Sequence, residues 1–284
     1  MSPPLFDPRV TPARPDLAAE FLRGRVQAER FVTGEAWQVV AAKAQLRRAP
    51  DAEAALETEA LRGEAITVYD KAGDWRWVQL ARDGYVGYLP ADALGSPRAP
   101  THRIAALRAH AYPDKNIKRP PRLALSLGAL VDILRFDGDF AVTGDNLWIY
   151  ARHIAPLDTY EPDFVAVAER FLEVPYLWGG RTSEGIDCSG LVQTALAAAG
   201  IAAPRDSDMM EAALGAPVPI TADGTGLKRG DLIFWKGHVG VMRDANELLH
   251  ANGWAMKAAS EPLATARSRI EENNGGAVTA IRRL

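Results

Sequence analysis

The chain has 284 residues, 48% of them hydrophobic and 24% charged, ordinary usage for a globular protein and enough length for two or three domains. Its 33 basic and 36 acidic residues leave a net charge of −3, which argues against a general nucleic-acid binder and against a polybasic membrane patch. A single cysteine, Cys188, excludes an intramolecular disulfide and a cysteine-rich metal site.

Residues 1–35 read as an N-terminal arm. Pro3, Pro4, Pro8, Pro12 and Pro15 favour an extended start, and Leu17, Phe21 and Leu22 are placed to begin a short helix. Residues 1–9 lack the apolar run of a secretory signal, and no stretch of about 18 apolar residues could span a membrane. A free cysteine suits a reducing compartment, so the expected location is the cytoplasm.

From 36 to 95 the pattern is all-β. Strands are expected at Ala36-Trp37-Gln38-Val39-Val40, Ala65-Ile66-Thr67-Val68-Tyr69, Trp75-Arg76-Trp77-Val78-Gln79-Leu80 and Tyr85-Val86-Gly87-Tyr88-Leu89-Pro90. Turns at Ala72-Gly73-Asp74 and Arg82-Asp83-Gly84 separate them, the signature of a small barrel. The run from Gly63-Glu64 through Gly73-Asp74-Trp75 to Asp83-Gly84-Tyr85 resembles a bacterial SH3-like domain. Gly95-Ser96-Pro97-Arg98-Ala99-Pro100 reads as a linker. Residues 101–157 repeat the order of strand, aspartate–glycine turn and strand at Ala129 to Leu134, Phe136-Asp137-Gly138-Asp139-Phe140 and Leu147-Trp148-Ile149-Tyr150. This region is read as a second, divergent SH3-like barrel.

Residues 160–284 change character. Phe164, Val167, Ala168, Phe171 and Leu172 give 163–172 one apolar helical face, ended by Pro175. The glycine-rich approach Val174-Pro175-Tyr176-Leu177-Trp178-Gly179-Gly180 leads to Gly185-Ile186-Asp187-Cys188-Ser189-Gly190. Beyond it Leu191, Val192, Ala195, Leu196 and Ala199 recur at helical spacing up to Gly200. Cys188 thus opens a helix, where unpaired N–H groups and the helix dipole favour thiolate over thiol. A lone cysteine is most commonly a small buried hydrophobe, and position alone leaves both readings open.

Two histidines shift that balance. His238 lies fifty residues beyond Cys188 and His250 twelve further on, both in strand-like segments. The loop Asp244-Ala245-Asn246 suits a three-residue hairpin with Asn246 left-handed. If Arg243 faces Glu247 across it, His238 and His250 become diagonal neighbours on one face, about 7–8 Å apart at the backbone. His250 can then orient His238, whose other nitrogen faces Cys188: nucleophile, base and orienter. The alternative is a packed or exposed histidine pair, or half a metal site; two histidines without a carboxylate or thiolate cluster are poor zinc ligands. His102, His110 and His153 show no motif and are read as surface residues.

The ensemble Pro175-Tyr176-Leu177-Trp178-Gly179-Gly180, Asp187-Cys188-Ser189-Gly190-Leu191-Val192, Gly230-Asp231-Leu232-Ile233-Phe234-Trp235, His238-Val239-Gly240-Val241 and Leu249-His250-Ala251 is similar to the NlpC-type cell-wall cysteine peptidases. The resemblance implies an α+β, papain-like catalytic domain over 160–284, preceded by the two SH3-like barrels. It implies hydrolysis of amide bonds in peptidoglycan stem peptides, with Cys188 attacking, His238 as base and then acid, and His250 orienting it. Tyr176 would lie near the oxyanion, which backbone N–H groups including that of Cys188 would hold. Asp187 and Ser189 join the substrate-binding set. No cofactor or metal is implied.

A subgroup with SH3-like domains ahead of the catalytic domain acts on peptides with a free N-terminal L-alanine. Pro204-Arg205-Asp206-Ser207 resembles its motif, with Asp206 on the free amine and Ser207 on the peptide. A tyrosine of the first SH3-like domain closes the pocket; Tyr85 is preferred, with Tyr88 in reserve. Met209 and Met210 stand where members of the family often carry glutamine, a departure at that edge of the pocket. The resulting expectation is hydrolysis of the γ-D-Glu–diamino acid bond in L-Ala-γ-D-Glu-diamino-acid peptides during wall-peptide recycling. Its rivals are a secreted hydrolase of intact wall and a non-catalytic protein that holds wall fragments. The sequence leaves open diaminopimelate versus lysine, and the oligomeric state.

Overall fold

The alternation read in the first β region becomes a strand, Trp75–Leu80, that sends Val78 and Leu80 into an apolar core. This is seen in a computed structural model, which describes residues 6–221 and 224–284. The strand pairs antiparallel with Ala65–Ala72 on one side and Val86–Pro90 on the other. Ala72 and Trp75 face each other across the two-residue loop Gly73-Asp74. Gly73 sits at φ +59°, a conformation that favours glycine. Seven strands line up in the order Leu56–Leu61, Lys43–Arg47, Val86–Pro90, Trp75–Leu80, Ala65–Ala72, Glu35–Val39 and Leu94–Gly95. Val39, Leu46, Ile66, Val68 and Leu89 complete the core.

Among the described residues the two outer strands do not pair, so the sheet stays open where a closed barrel was expected. The Leu94–Gly95 edge offers only two residues of ladder. Two other expectations change. The N-terminal arm, of which Pro3 and Pro4 lie outside the described residues, is packed down. Arg9 O accepts from Val86 N at 2.8 Å, and Arg14 stacks over Trp77 at 4.3 Å. The expected short helix is a single turn, Glu20–Leu22, that carries Phe21 and Leu22, while Leu17–Ala19 before it is a fully buried strand parallel to Arg30–Val32. Its Ala19 N–H donates to Pro12 O, so it has no helical bond to make.

Residues 101–157 repeat local features of the first sheet. Asp137 and Phe140 face each other across Gly138-Asp139, with Gly138 also at φ +59°. A one-turn helix, Ala151–His153, follows the strand Trp148–Tyr150, as Ala91–Ala93 follows Val86–Pro90. The strands form a five-stranded and a three-stranded sheet around Ile104, Leu125, Val131 and Ile149.

The chain divides between Leu157 and Asp158 into two compact units. The second combines helices with a six-stranded antiparallel sheet, ordered Ala216–Pro217, Ala280–Arg283, Leu232–Trp235, His238–Met242, Glu247–Asn252 and Lys257–Pro262. Its first helix, Phe164–Glu169, starts where the Asp163 carboxylate accepts from the Val165 and Ala166 amides. It is shorter than the periodicity predicts. The helix Cys188–Ala198 lies against the His238–Met242 and Glu247–Asn252 strands. No helix among the described residues is long and apolar enough to cross a membrane.

Candidate active site

Cys188 is the first residue of its helix, and Asp187 caps it. The Asp187 carboxylate accepts from Gly190 N at 2.6 Å, Gly179 N at 2.8 Å, Ser189 Oγ at 3.3 Å, and Arg205 Nη1 and Nη2 at 3.0 and 2.6 Å. Arg205 also donates to Ser189 Oγ at 2.7 Å. All three side chains are buried. Gly190 has a physical reason to be glycine, because an added Cβ would meet Gly180 O at 2.2 Å. The close approach of these two segments fixes the height of Cys188 above the loop.

Asp187 and Ser189, placed in the substrate-binding set by resemblance, are engaged by the chain's own donors and hold the helix end. The thiol does not receive the acidification expected of a helix start. Burial and then the Asp187 charge push it up to about 12, outweighing the Val239 amide, which donates to the sulfur, and the Arg205 charge. A helix start favours the thiolate less where the sulfur is withdrawn from solvent, and Cys188 is only 8% exposed. Tyr176 stands beside both acids: burial, then the charges of Cys188 and Asp187, push its phenol above its ordinary range. Its backbone is tied by a 2.9 Å hydrogen bond to Met256 O.

The expected hairpin register holds. Arg243 N donates to Glu247 O at 2.7 Å, and Val241 faces Leu249. The loop is closed differently, however. Asn246 is not left-handed; instead the Asp244 carboxylate accepts from the Asn246 and Glu247 amides at 2.8 and 2.9 Å. The register brings His238 Nε2 to 2.8 Å from His250 Nδ1. His250 is fully buried and His238 partly so. Trp235, the cross-strand partner of His238, packs its ring 5.7 Å away.

Behind His250 stands a residue that sequence reasoning missed. Glu261 Oε1 lies 2.7 Å from His250 Nε2, and Arg269 grips the same carboxylate, with Nη2 at 2.5 Å from Oε1. Against the burial that would raise it, hydrogen bonds from Arg269 and His250 hold Glu261 at about 2. A carboxylate only accepts, so His250 carries its hydrogen on Nε2 and accepts on Nδ1. His238 therefore donates from Nε2. Burial, then His250, lowers His238 to about 3; the neutral ring keeps its lone pair on Nδ1. A signal for Glu261 existed in the sequence: antiparallel pairing of 250 with 259 and 248 with 261 puts Glu261 diagonal to His250.

The remaining candidates are placed as follows. Asp206 precedes the short helix Ser207–Ala213 and does not cap it with its side chain; its charge is felt by Arg205. Ser207 and Met210 are buried, and Met209 is half-buried. Tyr85 belongs to the core of the first sheet, 3% exposed. Tyr88 is half-buried, its hydroxyl accepting from Arg14 Nη1 at 2.8 Å. The ring nitrogens that face each other in the two histidines bond one another rather than converging outward as ligands.

Residues 173–268 match the NlpC/P60 family model, and residues 46–94 match the model of a bacterial dipeptidyl-peptidase Sh3 domain. A gamma-D-glutamyl-L-lysine dipeptidyl-peptidase of Bacillus cereus is 28% identical over 63% of this chain and 60% of its own length. The chain thus spans under two thirds of that relative. Dipeptidyl-peptidase 6 of Lysinibacillus sphaericus is 28% identical over 75% of this chain and 86% of its own. The crystal structure of an NlpC/P60 family protein from Bacillus cereus shares the fold at a TM-score of 0.74, covering 88% of this chain and 99% of that one at 22% identity.

Proposed function

We propose that this chain, whose residues 173–268 belong to the NlpC/P60 family and which is read as a cysteine peptidase, hydrolyses the γ-D-Glu–diamino acid bond of wall-derived peptides with a free N-terminal L-alanine. One observation carries the reading: a cysteine at a helix start receives on its sulfur the amide of Val239, the residue that follows His238 in the chain, and His238 Nε2 is engaged by a second histidine at 2.8 Å. The relatives named as γ-D-glutamyl-L-lysine dipeptidyl-peptidase and dipeptidyl-peptidase 6 support the bond type.

The resting pair is neutral thiol and neutral imidazole. Attack then begins with transfer of the Cys188 proton to His238 Nδ1 as sulfur adds to the γ-carbonyl. The Cys188 N–H at the helix end and the Tyr176 side chain beside it stabilise the oxyanion. The imidazolium gives its proton to the departing α-amine of the diamino acid. Water, deprotonated by His238, releases the L-Ala-γ-D-Glu acid and frees Cys188. Asp206 supplies the charge that meets the substrate ammonium, and the two N-terminal β regions act as SH3-like modules. The setting proposed is peptide recycling in the cytoplasm.

The test is incubation with L-Ala-γ-D-Glu-diaminopimelate, its L-lysine counterpart, and the N-acetyl form of each, with products identified by mass. The expected product is L-Ala-D-Glu. Blocking the amine should lower kcat/KM on the order of 10²-fold or more, because the half-buried Asp206 carboxylate loses its partner; Asp206→Asn should narrow that gap. Equal cleavage of free and blocked peptides would favour a hydrolase of intact wall, and binding without turnover would favour a wall-fragment binder.

A further inference from the structure

We propose that Glu261, anchored by Arg269, is a positioning residue that sets which nitrogen of His238 can accept the Cys188 proton. Two imidazoles in a row can bond in either sense. If His250 carries its hydrogen on Nδ1, it must donate to His238 Nε2, and neutral His238 is left with its hydrogen on Nδ1 and no base there. The structure removes this degeneracy at the far end of the row. Glu261 Oε1 at 2.7 Å accepts from His250 Nε2, which turns both rings so that the lone pair emerges on His238 Nδ1. Arg269 grips both carboxylate oxygens and keeps Glu261 from turning away. The local sequence builds this grip: Glu261 is the penultimate residue of its strand, Pro262 ends the strand and precedes the helix Leu263–Ile270, and Arg269 lies in that helix's last turn.

The two members act in opposite directions on His238: Glu261 raises its basicity and Arg269 lowers it. The proposed role of Arg269 is therefore geometric, and Glu261 carries the electrostatic one. The outer partner of a metal-bound histidine is typically worth about 10–100-fold, and by analogy the same scale is expected for Glu261→Gln. A glutamine can present its amide N–H₂ to His250 Nε2, which then accepts, and the wrong tautomer becomes accessible.

This inference rests on reading Cys188 and His238 as the reacting pair, and its test uses no peptide substrate. In protein labelled with ¹⁵N-histidine at neutral pH, His250 Nε2 and His238 Nε2 should show bonded hydrogens, and both Nδ1 atoms should show lone-pair shifts. A hydrogen on His250 Nδ1 in the wild type overturns the proposal outright, with no variant needed. Glu261→Gln should mix the tautomers and slow alkylation of Cys188 by iodoacetamide about tenfold or more. Unchanged histidine shifts and an alkylation rate within twofold in a folded Glu261→Gln protein would also overturn it. If the tautomers behave as stated but no γ-D-glutamyl peptide is cleaved, the substrate reading falls and this one stands.

Discussion

The two ends of the proposed reacting pair are backed by the same device, a carboxylate held by an arginine, and the device does opposite work at each. Behind Cys188, Asp187 and Arg205 are almost wholly buried, at 9% and 1% side-chain exposure. Behind His238 and His250, Glu261 and Arg269 are more open, at 19% and 16%. Asp187 has five donors from the chain itself, so its charge builds a helix end, and that charge falls on the thiol as a penalty. Glu261 has one histidine and one arginine, and its charge favours a proton on His238. A buried ion pair can thus be structural at one end of a site and chemical at the other. Which it is depends on whether its remaining acceptor sites point at the backbone or at a titrating ring.

The largest break in this comparison is at the nucleophile. Cys188→Ala should reduce turnover by roughly 10⁶-fold, the scale of removing an enzyme nucleophile, while circular dichroism stays native. Residual activity within tenfold of wild type would remove Cys188 from the mechanism. Next comes Arg205→Met, which strands Asp187 as a buried charge and should destabilise by about 3–5 kcal/mol in urea unfolding. Arg269→Met should cost clearly less, because a more solvated pair is worth less than a buried one; equal losses would erase the distinction between the two pairs.

A sharper probe is Asp187→Asn. Asp187 raises the thiol, so removing its charge should bring Cys188 down from about 12, seen as a lower midpoint in thiolate absorbance against pH. An unmoved midpoint would assign the whole shift to burial. The smallest effect concerns acid stability. Glu261 keeps its proton off down to about 2, against an ordinary 4.5. Its contribution is complete above 4.5 and is lost as pH falls through about 2, since the unfolded chain takes up the proton first. The difference in Tm between wild type and Glu261→Gln should therefore be constant above pH 5 and shrink below 4.5. A difference that grows on acidification would contradict the sign.

The histidine pair was legible because strand parity is a property of sequence: His238 and His250 share a face whatever the rest of the chain does, and the Arg243–Glu247 closure followed from loop length. The supports were not. Arg205 meets Asp187 across 18 positions, and nothing in local periodicity announces that pairing, so the sequence showed no internal partner for Asp187 and Ser189. Glu261 was within reach of the same parity argument, had 257–262 been taken as a strand, but Ser260-Glu261-Pro262 does not alternate in hydrophobicity. The thiol was misjudged for a different reason. Helix-end electrostatics is a local term, whereas burial is a tertiary one, and here the tertiary term is larger. Closure of the first β region failed similarly, because the two-residue edge at Leu94–Gly95 depends on where the preceding one-turn helix releases the chain.

The depth of Cys188 also bears on how the protein ages. Peroxides attack thiolate far faster than thiol, and sulfenic acid is the entry to irreversible oxidation. Burial and the Asp187 charge push the thiol up, so the resting protein favours thiol over thiolate at neutral pH. The sulfur is exposed to oxidative loss mainly during turnover, when His238 takes its proton. Idle protein stored without reductant should therefore keep its titratable thiol, and inactivation by peroxide should track the number of catalytic cycles rather than elapsed time.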